Sequence, residues 1–342
     1  VYRGELRPLD SLLDYAFYVS FFPQLVAGPI VRARDFAPQI RKPLVINNRM
    51  IAMGVYLIVI GLFKKAVISD YISINFVDRV FDNPLRYTGV ENLFGLIGYA
   101  MQLYCDFSGY SDMAIGIALL LGFRFPTNFN APFKADSVGD FWRRWHISLS
   151  SWIRDYVYIS LGGNRKGDLR TCFNIFITML LAGLWHGASW NFIIWGVYFG
   201  IIVMTEKYTL LKVKDNIPSP LLHLYSLLLV VIGWGIFYFD DFGRMLVFFK
   251  SFFGGGKTFD SFVTHSAFLD HFWIWVAAIV FSMPLRKTVS SFVLHRQEES
   301  SVPSVYNAMS LIVKTVFSVV MLVVCAALLV GATNNAFIYT RF

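Results

Sequence analysis

Residues 171–205 read TCFNIFITMLLAGLWHGASWNFIIWGVYFGIIVMT, 35 positions without an Asp, Glu, Lys or Arg. As one straight helix the run would extend ~50 Å, well past a hydrocarbon core of ~30 Å. Gly183 and Gly187 flank His186 near its middle, so the stretch predicts two membrane segments meeting at that histidine. The rest of the chain has the same character. Of 342 residues, 56% are hydrophobic and 15% charged, against about 25% charged in soluble domains. That composition excludes a disordered chain, a collagen-like fibre and a nucleic-acid-binding domain, and leaves a multi-pass membrane protein. Aromatic residues make up 18% of the chain, which suits many membrane–water interfaces.

Outward from this run, further segments read as spans of unequal quality. Tyr15–Val31 is apolar but carries Pro23, Gly28 and Pro29, which predicts a broken or re-entrant segment. Met50–Phe63 is apolar and ends at Lys64 and Lys65, whereas Asn92–Phe123 contains Asp106 and Asp112. Leu221–Phe239, Phe272–Met283 and Thr315–Ala332 are plainer, and the polar stretch His295–Ser304 reads as an extramembrane loop. With no internal repeat, residues 1–342 are expected to form one integral membrane domain. The chain opens at Val1 without an initiator Met, so either the numbering starts inside a longer protein or residues were trimmed. The excess of 30 Lys and Arg over 22 Asp and Glu fits basic cytoplasmic loops facing anionic lipid. Clusters at Arg32–Arg49, Lys207–Lys214 and Arg286–Lys287 are expected there, although Arg244, Lys250 and Lys257 fall on the opposite side. The scattered Cys105, Cys172 and Cys325 show no disulfide or metal spacing.

Residues 138–156, VGDFWRRWHISLSSWIRDY, place Phe141, Trp142, Trp145, Leu149, Trp152, Ile153 and Tyr156 on one stripe at helical period. His146, Ser150, Arg143 and Arg154 flank it, and Ile147 is the misfit. Such a helix is too polar to span lipid: it either lies flat at the interface or lines a wet cavity. Ionisable groups inside apolar runs are costly, which makes function their default reading. His186 is the foremost of these, since a neutral imidazole both accepts and donates protons near neutral pH; the alternative is a core histidine bonded to a carbonyl. Asp106 and Asp112 lie six positions apart, about 240° around a helix, so they do not form an acid/base pair. With Ser108 they are expected to hydrogen-bond to a broken helix. The histidine spacing predicts no metal. The basic loop Gly162–Gly167 reads equally as a phosphate cradle or a plain turn.

Taken together, several of these stretches resemble the membrane-bound O-acyltransferase family in its bacterial alginate O-acetylase branch. They are SFFPQLVAGPI (20–30), DFSGYSDMAIG (106–116), GFRFPTNFN (122–130), FWRRWHISLS (141–150), WIRDYVY (152–158), LGGNR (161–165), GLWHGASWN (183–191) and NAFIYTRF (335–342). The resemblance implies an all-α, multi-pass fold with spanning, broken and re-entrant helices around a central catalytic cavity. It also implies a catalytic role for His186, with His146 as the second active-site histidine. In that reading His186 is the general base, and His146, Trp145 or backbone amides near Gly187 serve the oxyanion. Arg143, Arg144 and Arg154 would hold donor phosphates, with Trp185 and Asn191 also near the substrates. The donor would be acetyl-CoA as a substrate, with no resident cofactor. The site would lie in the bacterial inner membrane beside a periplasmic acetyltransferase or polysaccharide-handling partner. The competing expectation from the residues alone is a secondary transporter using Asp106, Asp112 and His186 as a proton relay.

Overall fold

The computed structural model describes residues 9, 11–255, 271–283 and 303–330. Every regular element among them is helical. The sequence features at Lys257, His265, Arg286, Lys287, His295 and Asn335–Phe342, and most of the loop His295–Ser304, lie outside the described residues.

The first segment is broken as its prolines require. Helix α1 (Leu12–Ser20) is capped by the Ser11 hydroxyl, a single tight turn at Phe22–Gln24 follows, and the chain runs extended into α2 (Ala33–Ile40). Phe21, Phe36, Phe123 and Phe125 bury one another here.

Helix α3 (Asn48–Asp82) corrects the reading of a span that stops at Lys64. It begins under an Asn47 side-chain cap and continues through both lysines, its coil widened to π turns at Lys64–Ser69 and Ser73–Val77. The lysines do not end the helix because each meets a carboxylate. Lys64 Nζ lies 2.7 Å from Asp112, and Lys65 Nζ lies 2.7 Å from both Asp70 and Asp106.

Asp70 lies on α3 itself, whereas Asp106 and Asp112 come from α4 (Gly89–Leu120), which starts in a reciprocal Thr88–Glu91 capping box. The helix is unbroken through Gly109, a second correction: Asp106, Ser108 and Asp112 answer to lysines rather than to a helix break. Glycine permits the approach. A Cβ on Gly61 would collide with the Gly109 carbonyl, and one on Gly109 would sit 2.7 Å from the Gly61 carbonyl. Backbones in contact at small residues are how membrane helices pack closely.

The amphipathic stretch is two short helices rather than one, α5 (Val138–Arg144) and α6 (Ile147–Ile153), separated at Trp145–His146. The stripe is buried across the break at Phe141, Trp145, Leu149 and Ile153 but runs out to exposed Trp152 and Tyr156, and the misfit Ile147 marks the restart. The long uncharged run folds as expected into α7 (Asp168–His186) and α8 (Trp190–Tyr208), turning just after His186. Then come α9 (Ser219–Tyr238), α10 (Phe242–Lys250), α11 (Phe272–Ser282) and α12 (Pro303–Val330). Among the described residues, four helices are long and apolar enough to cross a membrane: α3, α7, α9, and α8 with its continuation to Asn216.

Candidate active site

The hairpin of α7 and α8 sets the position of His186. A Cβ on Gly183 would strike the Phe192 carbonyl and lie 3.2 Å from the Gly196 Cα, so only glycine lets the helices close one turn before the histidine. The imidazole ends α7, half-buried. Around it stand Trp185, Phe237, Trp195 and Phe192, with ring centres at 4.9, 5.0, 5.4 and 6.1 Å.

His146 reaches the same place from the break between α5 and α6. It is buried, with 5% of its surface exposed. Its backbone is left-handed at φ 44° and ψ 54°, a conformation that costs a non-glycine residue about 1–3 kcal/mol and persists only when its surroundings enforce it. They do. The loop before α5 pairs with the break through two main-chain bonds: Ile147 N donates to Asn128 O at 2.9 Å, and Asn130 N donates to Arg144 O at 2.9 Å. On the other side, Ile30 N donates to Ser148 Oγ at 3.0 Å, and Arg32 pairs with Asp155. The start of α5 is held by a buried carboxylate from α8, since Val138 N and Gly139 N donate to Glu206 at 2.7 and 2.8 Å.

Both histidines line one cavity of about 400 Å³. Its wall is mainly aromatic and aliphatic, from Leu103 and Phe107 on α4 round to Trp234 and Phe237 on α9, with Ser150, Ser151 and Thr178 as hydroxyl groups. The Phe107 ring meets His146 edge-on at 4.7 Å. Burial pushes His146 down to about 3, and His186 adds to the shift because positive charge on one ring opposes it on the other. The resting His146 is therefore neutral. Outside the cavity, Asp155 is held below the ordinary carboxylate range by hydrogen bonds from Arg154 and, next in strength, Arg32.

The other residues singled out in the sequence divide. Arg143, Trp145 and Arg154 line the cavity. Arg144 does not; its Nε is 2.6 Å from Asp140, which also pairs with Arg143 at 3.3 Å. Trp185 and Asn191 are also absent from the wall. Trp185 packs edge-on against His186 and lies 6.0 Å from His146, while Asn191 Nδ2 donates to Phe237 O at 3.2 Å and ties α8 to α9. Asp106, Ser108 and Asp112 stand apart with Lys64 and Lys65, so the structure does not bring the aspartates to His186 as a relay would require. The basic loop turns on left-handed Gly162, Gly163 and Gly167. It lines a second hollow of about 420 Å³, with Arg154 on the wall of both. Sequence reasoning missed Asn128, Ser148 and Glu206; the only signal for Asn128 was its place inside the stretch 122–130.

Residues 5–248 match the model of the membrane-bound O-acyltransferase family. A probable alginate O-acetylase, AlgI, of Pseudomonas fluorescens is 46% identical over 242 residues, covering 69% of this chain and 47% of the relative. The peptidoglycan O-acetyltransferase of Helicobacter pylori is 43% identical over 67% of this chain and 44% of its own length. The teichoic acid D-alanyltransferase of Bacillus subtilis is 32% identical over 60% of this chain and 53% of its own. The chain thus spans about half the length of the curated relatives it matches. With that match over more than half its residues, and two histidines on one buried cavity, the chain belongs to the membrane-bound O-acyltransferase family.

Proposed function

We propose that this chain is the catalytic region of a membrane O-acetyltransferase that modifies an extracytoplasmic polysaccharide in the bacterial inner membrane. The observation that carries the reading is the convergence of His186, from the end of α7, and His146, from the break between α5 and α6, on one apolar cavity. An acetyl thioester, with acetyl-CoA as donor, enters from the cytoplasmic side. A hydroxyl oxygen attacks the thioester carbon, its proton passes to His186, the C–S bond breaks and the departing thiolate is protonated to a thiol. Positioned general bases of this kind contribute about 10²–10⁴-fold. Arg143 and Arg154, at the cavity wall, are placed to meet donor phosphates, and Arg154 joins that wall to the basic glycine loop. Arg144, which does not line the cavity, is left out of that role. The relatives' names point to alginate or peptidoglycan as the eventual acceptor, reached through a periplasmic acetyltransferase or polysaccharide-handling partner.

The test is acetylation by the full-length protein in native membranes. His186→Asn is expected to abolish product while membrane abundance stays at the wild-type level, and His146→Ala to impair it severely. Wild-type product from His186→Asn would overturn the assignment.

A further inference from the structure

Asn128 is almost completely buried, with 1% of its surface exposed, and its side chain is surrounded by groups that identify its atoms. The Ser148 main-chain nitrogen, which can only donate, lies 3.2 Å from Oδ1. A flipped amide would set two donors against each other there, so the oxygen faces Ser148 and Nδ2 donates to Ser111 Oγ at 3.1 Å. The Ser148 hydroxyl accepts from Ile30 N and donates to Oδ1 at 2.9 Å, much the nearer of its two acceptors, since His146 Nδ1 is 3.5 Å away. The same Oδ1 lies 3.1 Å from His146 Nδ1. An amide oxygen only accepts, so Nδ1 must carry the hydrogen.

We infer that Asn128 is a positioning residue that fixes His146 as the Nδ1–H tautomer, leaving the lone pair on Nε2 as a proton acceptor for the cavity. The consequence for chemistry rests on the acyl-transfer reading; the tautomer itself does not. It also revises an expectation from the sequence. A neutral imidazole with its hydrogen committed to Asn128 has no N–H to offer a developing oxyanion. His146 is therefore a second proton acceptor beside His186. Orientation of a functional imidazole by a hydrogen bond to its other nitrogen is a general device. Here the device also explains the strained backbone: the left-handed turn at His146 lets Asn128 take Ile147 N on its carbonyl and Nδ1 on its amide.

Two measurements test the inference. Nitrogen-15 NMR of histidine-labelled full-length protein in lipid nanodiscs, with His146 assigned by its loss in His146→Gln, reads the tautomer directly. The expected result is a protonated Nδ1 and an unprotonated Nε2; an Nε2–H form overturns the inference. The second is a double-mutant cycle in acetyl transfer. Asn128→Ala should lower kcat by about 10- to 100-fold with donor KM unchanged, by analogy with the partners that orient metal-binding imidazoles. The same change in a His146→Ala background should cost nothing further, because its effect runs through that ring. An equal cost in both backgrounds would make Asn128 a structural residue and overturn the claim. Should Asn128→Ala fail to accumulate, the wild-type NMR spectrum still decides. A wild-type protein without transferase activity would refute the functional reading and leave the tautomer measurable.

Discussion

Single polar side chains hold the short helices of the site in place, and their energies are separable. Glu206 supplies both oxygens to the first amides of α5, where no intrahelical partner exists. Glu206→Ala orphans Val138 N and Gly139 N and should destabilise by about 1–2 kcal/mol, the upper part of the range for helix caps. Glu206→Gln, which keeps one acceptor, should cost about half as much by the same measure. Thermal melts of detergent-solubilised full-length protein check the order. Asp155 gives a prediction in pH. Its carboxyl is held below its ordinary value of 3.8 by Arg154 and Arg32, so it binds protons more readily unfolded than folded. The stability it supplies is fully present above that ordinary value and is lost as pH falls through the lowered folded value. The gap in melting temperature between wild type and Asp155→Asn should hold at neutral pH and close on acidification below pH ~4; a gap independent of pH would exclude the ion pair as its source. Asn128 and Glu206 were not legible in the sequence. An asparagine in a loop and a glutamate at the end of an apolar run have no distinctive spacing, and their partners are assembled only by the tertiary fold.

At the scale of elements, the pairing of α3 with α4 explains how a charged helix crosses the interior. The Gly61–Gly109 contact brings the backbones together, and two lysines then fall opposite two aspartates. Buried pairs of this kind are weak sources of stability, but removing one partner costs about 3–5 kcal/mol because the other charge stays behind. Lys65→Met should therefore lower thermal stability strongly, and adding Asp106→Leu should recover part of the loss. A double variant worse than the single one would contradict the pairing. Gly109→Ala should also destabilise, by about 1–3 kcal/mol as overpacking does, without touching the cavity. The sequence revealed the α7–α8 hairpin because an uncharged run of 35 residues is too long for one crossing. It misplaced the end of α3 because lysines usually stop a span, and two of their compensating carboxylates, Asp106 and Asp112, lie on another helix. The break at His146 was hidden for a different reason: Phe141 on α5 and Leu149 and Ile153 on α6 are buried along one apolar stripe, so the period runs through a bend that tertiary hydrogen bonds impose.

Over the whole molecule, the cavity is the feature that no single segment contains. Its wall draws on α4, α5, α6, α7, α8 and α9, from Leu103 to Phe237, and the aromatic shell behind it is continuous with the main core. His186 could be singled out from sequence as one imidazole in an oily run. Its meeting with His146 could be expected only through family resemblance, since the thirty-nine residues of chain in between carry no sign of it. If reactants meet in this space, filling it should stop transfer without removing a histidine. Ala182 lies on α7 one turn before His186, lines the cavity and is 9% exposed, so Ala182→Trp directs a large ring into the hollow. Inserting such bulk into a close-packed core would cost about 1–3 kcal/mol or more, whereas an open cavity of about 400 Å³ accepts it with little strain. The expected outcome is a melting temperature close to wild type together with loss of acetyl transfer by the full-length protein. A large drop in melting temperature would mean that the space is already filled, and full activity at unchanged stability would place the reaction elsewhere. Ala182→Ser, which leaves the volume open, should retain transfer and so ties the loss to bulk rather than to substitution on α7.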